Sequence, residues 1–501
     1  MPELDRHLAG RTLIVLSNRE PYEHVAGPDG VEVRRPAGGL VSALDPTMRR
    51  TRGVWVAWGS GSADRDTCDA DGRLRVPPEE PAYVLRRVFL DEADLDGFYL
   101  GFSNAVLWPL CHMLVQFLEF REEHWASYQA VNRTFAEAAV DEARRCAETA
   151  GRPLLWVQDY HFALAPRYAR ELEPGLFVHQ FWHIPFPPPD LLALLPHSAA
   201  RELLLGMLGN DLLEFHTERY AQNFLDCVAR FLAEEVEVDV EQRTVAAAGR
   251  ETHVGAFPIS IDVELYESLA RAPEAERLAA ELRARYACAS CRLGVCVDRV
   301  DYTKGIPERL SALETLWETS PELRGRFTVY FVAVPSRSAI PAYARLERDI
   351  LEAVARINDR FGSRTWQPIV LVHDNLDAAS LAAIYRAGDL CLVSSLQDGM
   401  NLVAKEYVAC QVDERGVLLL SRFAGAAEEI EGAVLINPFN VDGVAECIRV
   451  ALDMPEAERR ERMHAMRERL RGATIFDWLD AILGRAVELI DAPAGAGGPS
   501  A

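Results

Sequence analysis

Hydrophobic and polar positions follow two spacings along this chain. Short apolar runs rich in β-branched residues alternate with longer segments in which apolar residues recur at helical spacing. The runs predicted as buried strands are Thr12–Leu16, Trp55–Trp58, Leu154–Gln158, Phe177–Trp182, Leu293–Val297, Thr328–Val334, Ile369–Val372, Leu390–Ser394 and Val417–Leu420. Predicted helices between them include Trp125–Ala150, Ala199–Leu213, Glu218–Ala233 and Pro307–Glu318. Strands that are apolar on both faces and separated by helices indicate parallel sheets, and therefore an α/β fold.

The strands form two series, one before and one after about residue 255 of the 501-residue chain. Because single hydrophobic cores stop growing near roughly 250–300 residues, we expect two domains, 1–255 and 256–491. Residues 492–501 contain nothing to bury and are predicted to be a disordered tail. Ligands of doubly wound sheets bind beyond the carboxyl ends of the strands, so a site is expected there, in one cleft between the domains.

Charge and cysteine content narrow the class of protein. With 53 Lys and Arg against 76 Asp and Glu, the net charge of -23 argues against a nucleic-acid or anionic-membrane partner, although local cations can still bind a small anion. No apolar stretch approaches the roughly 18–20 residues of a membrane span. The ten cysteines are scattered, and the close pair Cys288 and Cys291 has no second pair at zinc-ligand spacing. A reduced, cytoplasmic protein is expected.

Polar residues follow the predicted strands of the first half. Arg19 follows the first strand, and Gly38-Gly39 precedes an apolar helix, an arrangement that suits an anion but is also common in ordinary turns. Asp159 and His183 each follow a later strand. Both side chains can bond sugar hydroxyls, but a helix cap at Asp159 and a structural role for His183 explain the pattern equally well.

The second half places cations and a helix start at strand ends. Arg299 and Lys304 are spaced to clamp a diphosphate, or alternatively to pair with Asp298 and Asp301. Arg337 follows the next strand as a further cation. A loop turning into a helix would direct the amides of Gly399, Met400, Asn401 and Leu402 at a ligand, with Glu406 placed to accept from a ribose diol. Together these features fit glycosyl transfer from a nucleotide, where a departing diphosphate must be stabilised.

At these motifs the chain resembles the trehalose-6-phosphate synthase family, glycosyltransferase family 20, from about Leu13 to Leu483. The matching stretches are Ser-Asn-Arg at 17–19, Gly-Gly-Leu at 38–40, Phe-Ser-Asn-Ala-Val-Leu-Trp-Pro at 102–109, Asp-Tyr-His at 159–161, His-Ile-Pro-Phe-Pro at 183–187, Arg-Val-Asp-Tyr-Thr-Lys-Gly at 299–305, Asp-Gly-Met-Asn-Leu-Val-Ala-Lys-Glu-Tyr-Val at 398–408 and Phe-Ala-Gly-Ala-Ala-Glu-Glu at 423–429.

The resemblance implies a GT-B fold, in which two Rossmann-like doubly wound parallel-sheet domains face each other across a cleft. The N-terminal domain would bind the acceptor and the C-terminal domain the donor, with the last helix packing back on the N-terminal domain. The implied reaction, part of trehalose biosynthesis, transfers glucose from UDP- or GDP-glucose to glucose 6-phosphate with retention of configuration. A leaving phosphate oxygen would take the acceptor proton, and neither a metal nor a cofactor is required.

Residue roles follow from the same resemblance. Arg19 and Arg337 would hold the phosphate of glucose 6-phosphate, with Tyr99, Trp108 and Asp159 at the acceptor sugar. His183, together with Asp398 and the amides of Gly399, Met400, Asn401 and Leu402, would bind the transferred glucose. Arg299, Lys304 and Gly39 would contact the diphosphate, and Glu406 the ribose. The predicted catalytic set is Asp159, His183, Arg299, Lys304 and Asp398.

Two other functions are weighed against this one. A glucosylglycerol-phosphate synthase, which uses glycerol 3-phosphate, is supported by Arg19-Glu20-Pro21-Tyr22 and Trp55-Val56-Ala57-Trp58, but the acceptor-side residues, above all Arg337, favour the trehalose branch. A catalytically silent sugar-phosphate-binding regulator is a remote alternative, because the cations and Glu406 are all present. Gln158 and Gln397 depart from the family pattern. The segment 374–378 also departs from it, on the nucleotide-base side, and this leaves UDP-, GDP- and ADP-glucose open as donors. Homo-oligomerisation is compatible with the sequence.

Overall fold

The computed structural model describes residues 6–28, 30–35, 39–149, 151–286, 291–337 and 339–492. The chain divides into two compact units, Met1–Phe257 with Phe476–Ala501, and Pro258–Ile475. The first boundary between the units, after Phe257, lies two residues beyond the domain boundary expected at residue 255. The second boundary, after Ile475, falls at the start of the C-terminal helix Ile475–Asp491. Residues 493–501 of the predicted disordered tail, Gly38 and Cys288 lie outside the described residues.

The first unit is built on a mostly parallel sheet. In its described part, ten strands are ordered β10-β11-β12-β9-β8-β7-β1-β4-β6-β5. The run from β12 to β6 is parallel, and the outer strands join it antiparallel. The strands, with the separate hairpin β2–β3, are β1 (Arg11–Arg19), β2 (Glu23–Gly27), β3 (Gly30–Arg34), β4 (Val54–Trp58), β5 (Arg73–Val76), β6 (Tyr83–Val88), β7 (Arg152–Gln158), β8 (Phe177–Phe181), β9 (Leu212–Phe215), β10 (Val236–Asp239), β11 (Thr244–Ala247) and β12 (Arg250–Ala256).

Helices connect and cover these strands. They are Gly39–Thr51, Glu92–Asp94, a π-helix at Leu95–Leu107, Trp108–Cys111, Glu122–Thr149, Ala165–Leu172, Pro189–Leu192, His197–Met207, Glu218–Phe231 and Ile475–Asp491, with short 3₁₀ turns at Arg65–Thr67, Val115–Phe117 and Tyr160–Phe162. The last helix packs against this sheet through Trp478, whose ring lies 5.9 Å from Trp156 and 5.0 Å from Phe181 between centroids. The C-terminal segment thereby completes the core of the first unit.

The second unit contains a fully parallel sheet. Its six strands within the described residues are ordered β15-β14-β13-β16-β17-β18. They are β13 (Arg292–Arg299), β14 (Phe327–Val334), β15 (Ile369–Val372), β16 (Leu390–Val393), β17 (Val417–Ser421) and β18 (Val434–Ile436). The helices are Val263–Arg271, Pro273–Tyr286, Ile306–Thr319, Pro341–Phe361, Ala378–Ala387, Leu402–Cys410, Val441–Asp453 and Glu456–Arg471, with 3₁₀ turns at Tyr302–Lys304, Pro321–Leu323 and Gly425–Glu428.

Every predicted strand is present, because continuous apolar runs are buried on both faces of a covered parallel sheet. The prediction of one helix over Ala199–Leu213 is wrong at its end. That helix stops at Met207, and Leu212 begins β9. The four-residue strand is apolar like the helix before it, so periodicity alone did not separate them.

Two further expectations concern membrane spans and the state of the cysteines. No helix of the described ranges combines the length and the apolar character needed to cross a membrane. Cys291 is disulfide-bonded, which differs from the reduced thiols expected for the cysteines, whereas eight other cysteines are free thiols.

Candidate active site

The first sheet reverses its strand order between β1 and β7, which is where an open α/β sheet leaves a crevice at its carboxyl edge. Asp159 follows β7 at this point with φ of +67° and ψ of -179°. That backbone conformation is costly for any residue except glycine. Its amide donates to the Phe181 carbonyl at 2.7 Å, and its Oδ1 accepts the His183 amide at 3.0 Å. Three predicted residues, Asp159, Arg337 and Asn401, are among the eight non-glycine residues with positive φ in the described part of the chain.

His183 therefore lies beside Asp159. Its ring also lies 3.0 Å from Gln158 Oε1, so Gln158 has a specific partner at the position where it departs from the family pattern. Burial lowers the pKa of His183 to about 3. The imidazole is neutral near pH 7, and it can exchange hydrogen bonds with a sugar but cannot supply a proton as an imidazolium.

The two predicted acceptor-side aromatic residues belong to one aromatic cluster. Tyr99 stacks on His161 at 5.9 Å, and the buried Trp108 lies 5.7 Å from Tyr160. Asn104 joins the two halves of the cluster, because it donates to the Tyr99 carbonyl at 2.7 Å and accepts from the Tyr160 hydroxyl at 3.0 Å. The segments around residues 99–108 and 159–161 are thus held together in the first unit.

Arg19 ends β1, where the pairing with β4 shifts register between Ser17 and Arg19. Such a bulge redirects the side chains at a strand end. Ser17 Oγ fixes this end by donating to the Arg19 carbonyl at 2.7 Å while accepting the Trp55 indole at 2.8 Å. The Arg19 side chain is exposed.

Glu20, the residue after Arg19, belongs to a buried ionic cluster that sequence reasoning missed. Arg87 contacts Glu20 at 2.7 Å, Asp64 at 2.8 Å and the His24 ring at 2.7 Å. Burial and the adjacent Asp64 carboxyl raise the pKa of Glu20 to about 8 despite the charge of Arg87. The cluster joins four separate segments, and no local signal could have revealed it.

The other predicted residue of this unit is Gly39, which begins the helix Gly39–Thr51. This placement agrees with the predicted helix start. The adjoining Pro36, Ala37 and Gly38 lie outside the described residues.

The second sheet reverses its strand order between β13 and β16, and there Lys304 meets Asp398. Lys304 Nζ lies 2.7 Å from Asp398 Oδ2, with the side chains 15% and 13% exposed. Ser395 Oγ and Asn401 Nδ2 donate to the same oxygen, both at 3.0 Å. Two predicted donor-side residues about a hundred positions apart are therefore in direct contact.

The alternative pairing of these cations with Asp298 and Asp301 is wrong for Lys304. Asp298 instead accepts from the buried Arg309 at 2.5 Å. Arg299 is exposed at the end of β13. Burial favours the neutral form of Asp301, but the charges of Arg337 and then Arg299 lower the pKa of that carboxyl overall. Gly305, at φ +61°, closes the turn that carries Lys304, and a Cβ there would lie 2.2 Å from the Ser394 carbonyl oxygen. The close approach of the two strand ends thus requires glycine.

The loop after β16 turns into a helix as predicted. Asn401, at φ +81°, caps the helix Leu402–Cys410 by accepting the Ala404 amide at 3.0 Å. This cap uses one amide of the first turn and leaves those of Leu402 and Val403 without an acceptor inside the helix. Gly399 and Met400, buried in the loop, precede them.

Glu406 lies on the same helix and is half-buried. The Tyr385 hydroxyl donates to its Oε2 at 3.0 Å, and Tyr266 supplies a second hydrogen bond. Burial raises the pKa of Glu406, while these hydrogen bonds oppose the increase. The two tyrosines hold the carboxyl group in one orientation.

Arg337 is the remaining predicted cation. Its Nη1 lies 3.2 Å from Asp301 Oδ2, whereas Lys304 pairs with Asp398. Within the described residues, no group of three or more His, Cys, Asp or Glu side chains is arranged to hold a metal ion. The titratable groups that the two strand-order reversals and their neighbouring loops bring together are thus the pairs Lys304–Asp398 and Arg337–Asp301 and the hydrogen-bonded His183.

A family model described as glycosyltransferase family 20 matches residues 11–487. The chain belongs to glycosyltransferase family 20. It is 40% identical over 482 residues to the trehalose-6-phosphate synthase of Mycolicibacterium gilvum, covering 94% of this chain and 93% of that protein. It is 41% identical over 476 residues to a bifunctional trehalose-6-phosphate synthase/phosphatase of Thermoproteus tenax, covering 93% of this chain but only 62% of that longer protein.

Solved structures of family 20 enzymes have the same architecture. A Burkholderia xenovorans α,α-trehalose-phosphate synthase (UDP-forming), in complex with glucose-6-phosphate, matches with a TM-score of 0.82 and 33% identity over 95% of this chain and 99% of that one. The two doubly wound α/β units are those of a GT-B glycosyltransferase. The predicted family and fold are confirmed.

Proposed function

We propose that this family 20 glycosyltransferase is an α,α-trehalose-6-phosphate synthase, which transfers glucose from UDP-glucose to glucose 6-phosphate with retention of configuration. The observation that carries the proposal is the Lys304–Asp398 contact at the strand-order reversal of the second sheet, beside the start of the helix Leu402–Cys410. A cation, a carboxylate and helix amides meet there at a carboxyl edge. This combination suits a sugar joined to a diphosphate, because the cation and amides attract phosphate while the carboxylate accepts from hydroxyls.

The donor site is assigned within the second unit. Lys304 and the exposed Arg299 bind the diphosphate, and the amides at the start of the helix Leu402–Cys410 add their dipoles. Asp398 bonds the transferred glucose, and Lys304 and Asn401 orient its carboxylate by donating to Oδ2. Glu406, oriented by Tyr385, accepts from the ribose diol.

The acceptor site draws mainly on the first unit. Arg19 binds the phosphate of glucose 6-phosphate, and Tyr99 and Trp108 line the sugar. Asp159 bonds acceptor hydroxyls near the reacting carbon, and the neutral His183 bonds the donor glucose. Gly39 approaches the donor phosphates at the start of its helix. Arg337 of the second unit supplies a further guanidinium to the acceptor phosphate.

In the reaction the bond between glucose C1 and the diphosphate oxygen breaks, and the acceptor hydroxyl bonds to C1 on the same face. The leaving phosphate oxygen takes the hydroxyl proton, so no side chain has to act as general base toward the acceptor hydroxyl or as general acid toward the leaving group. The charge that develops on the diphosphate is stabilised by preorganised cations and amides, which is how such groups lower a barrier. The proposal includes no resident metal or cofactor and no nucleic-acid or membrane partner, and a cytoplasmic location remains a prediction.

Glycerol 3-phosphate is the competing acceptor. One of the two stretches that supported it, Arg19-Glu20-Pro21-Tyr22, contains two residues with structural partners. Glu20 pairs with Arg87 at 2.7 Å, and the Tyr22 hydroxyl donates to Asp45 at 3.0 Å. Similarity at Glu20 and Tyr22 is thus explained by packing in the first unit and carries no information about the acceptor. The segment 374–378, expected on the nucleotide-base side of the donor, also contains a residue with a structural role, because Asp377 caps the helix Ala378–Ala387.

A substrate panel tests the proposal. Release of nucleoside diphosphate is measured with UDP-, GDP- and ADP-glucose, each with glucose 6-phosphate, glycerol 3-phosphate or no acceptor. We expect turnover with UDP-glucose and glucose 6-phosphate. Preference for glycerol 3-phosphate would identify the alternative synthase, preference for GDP- or ADP-glucose would change only the base, and no turnover with any pair would favour a silent regulator.

A further inference from the structure

Arg337 is held by two side chains of the second unit that the assigned donor and acceptor sites do not include. Its Nη1 donates to Tyr343 Oη at 2.7 Å and to Asp301 Oδ2 at 3.2 Å, and the Tyr343 hydroxyl donates to the same Asp301 oxygen at 3.2 Å. All three side chains are buried, with Asp301 at 0% and Arg337 at 8% exposure. The three groups therefore form a closed triangle of hydrogen bonds.

The other oxygen of Asp301 serves the turn that carries Lys304. Oδ1 accepts the Thr303 amide at 3.0 Å and caps the 3₁₀ turn Tyr302–Lys304. The Asp301 carbonyl also accepts the Lys304 amide at 3.0 Å. Asp301 thus contacts two cation-bearing residues, the Lys304 backbone through its carbonyl and the Arg337 side chain through its carboxylate. Burial opposes ionisation of Asp301, but the charges of Arg337 and Arg299 lower its pKa overall.

Tyr343 comes from the helix Pro341–Phe361, which follows the loop of Arg337. Arg337 has φ of +49°, a left-handed conformation that a non-glycine residue adopts only when its surroundings enforce it. Its guanidinium also lies 5.5 Å from the centre of the Tyr343 ring. Tyr343 therefore contacts Arg337 through both its ring and its hydroxyl, and these contacts favour one rotamer of the Arg337 side chain.

We propose that Tyr343 is a positioning residue for the acceptor phosphate, acting through Arg337, and that Asp301 couples this position to the Lys304 turn. The inference rests on the proposed function, which places Arg337 at the phosphate of glucose 6-phosphate. A guanidinium held in a fixed orientation loses less conformational freedom when it binds a phosphate. Loss of the tyrosine hydroxyl should therefore weaken acceptor binding without touching the donor.

The test compares steady-state constants for Tyr343→Phe, Arg337→Ala and the double variant. Tyr343→Phe should raise the KM for glucose 6-phosphate about tenfold, as expected for one hydrogen bond to a charged group, with kcat and the KM for UDP-glucose unchanged. The double variant should be no worse than Arg337→Ala alone, because the hydroxyl acts only through the guanidinium. Tyr330→Phe is the matched control. It removes a hydroxyl from β14, where the Tyr330 ring packs on Tyr286 at 5.8 Å, and all constants should stay unchanged.

A second variant tests the coupling. Asp301→Asn keeps the side-chain shape and an oxygen for the Thr303 amide, but removes the charge beside Arg337. It should raise the KM for both substrates and lower kcat, whereas Tyr343→Phe affects the acceptor alone. An Asp301→Asn effect confined to glucose 6-phosphate would overturn the coupling.

The failures are distinguishable. If Arg337→Ala raises the KM for glucose 6-phosphate and Tyr343→Phe does not, the positioning inference is overturned and the proposed function stands. Additive effects in the double variant would equally overturn it. If Arg337→Ala leaves that KM unchanged, the acceptor assignment of Arg337 is wrong, and the inference falls with it.

Discussion

Replacing Lys304 with methionine removes the ammonium group while keeping a side chain of similar length. The proposed role of this group is to neutralise charge on the departing diphosphate. The side chain is 15% exposed and pairs with Asp398 at 2.7 Å, so it is held in place before any substrate arrives. Such preorganised charge should contribute more in the transition state than in the ground state.

Lys304→Met should cause a large loss in kcat and a smaller loss in folding stability. Loss of one preorganised group at a developing charge typically costs about 10²–10³ in kcat, or roughly 2.7–4 kcal/mol. Folding stability should fall by only about 1–3 kcal/mol, because Asp398 loses its cation but keeps hydrogen bonds from Ser395 and Asn401, both at 3.0 Å. The protein should therefore fold and bind substrates while turning over slowly.

The assay measures nucleoside diphosphate release at saturating UDP-glucose and glucose 6-phosphate, together with urea unfolding. The sequence offers a matched control, since Lys304 and Lys405 are its two lysines. Lys405 is 2% exposed and pairs with Glu429 at 2.6 Å and the Ile259 carbonyl at 2.7 Å. Lys405→Met should lose about 3–5 kcal/mol of stability, as for a broken buried ion pair, and retain kcat.

Lys304→Met should thus lose mainly kcat, whereas Lys405→Met should lose mainly folding stability. A folded Lys304→Met enzyme with wild-type kcat would refute the diphosphate role. An equal loss of kcat in Lys405→Met would show that turnover responds to general destabilisation of this unit and that the loss in Lys304→Met is not evidence of a local charge effect.

Arg299→Ala should lower kcat about 10²–10³-fold but leave the unfolding free energy nearly unchanged in urea titrations, because the side chain is exposed; unaltered turnover would contradict its assignment. The folded-state pKa of Glu20, about 8, exceeds its ordinary value of 4.5, so its contribution to stability is greatest below 4.5 and is lost as pH rises through 8. Urea unfolding across this range should show a slope of up to about 1.4 kcal/mol per pH unit that Glu20→Gln removes. Burial holds the pKa of His183 at about 3, below its ordinary 6.5, so the neutral ring contributes stability that is lost as pH falls below 6.5. The pH profile of kcat/KM should accordingly contain no ionisation that His183→Gln abolishes between about pH 5 and 9. Trp478→Ala should lower the unfolding free energy by about 3–5 kcal/mol, since it empties the space beside Trp156 and Phe181; a loss under about 1 kcal/mol would show that the last helix is not part of the first core.

Much of the fold could be predicted because its determinants are local. A run such as Leu390–Ser394 is apolar at every position but its last, and a strand of that kind is stable only inside a parallel sheet covered on both faces. Polar residues after such runs could be singled out as candidates from the sequence, and Asp159 and Asp398 do follow β7 and β16 in the structure. The exposed hairpin β2–β3 and the last two strands at one side of the first sheet, β10 and β11, were missed, because partly exposed strands carry no continuous apolar signal.

The sequence by itself determined the α/β class, the two series of strands and the residue types available at the strand ends. The partner of each residue was decided only in three dimensions. Lys304 pairs with Asp398 and not with the nearer Asp298 or Asp301, because β16 lies beside β13 in the sheet. Arg87 and Tyr343 carry no local signal, since one interrupts a strand pattern and the other lies on an amphipathic helix. Sequence patterns report which face of an element is buried, whereas strand order and loop closure bring distant charges within hydrogen-bonding distance, and only the tertiary structure fixes these.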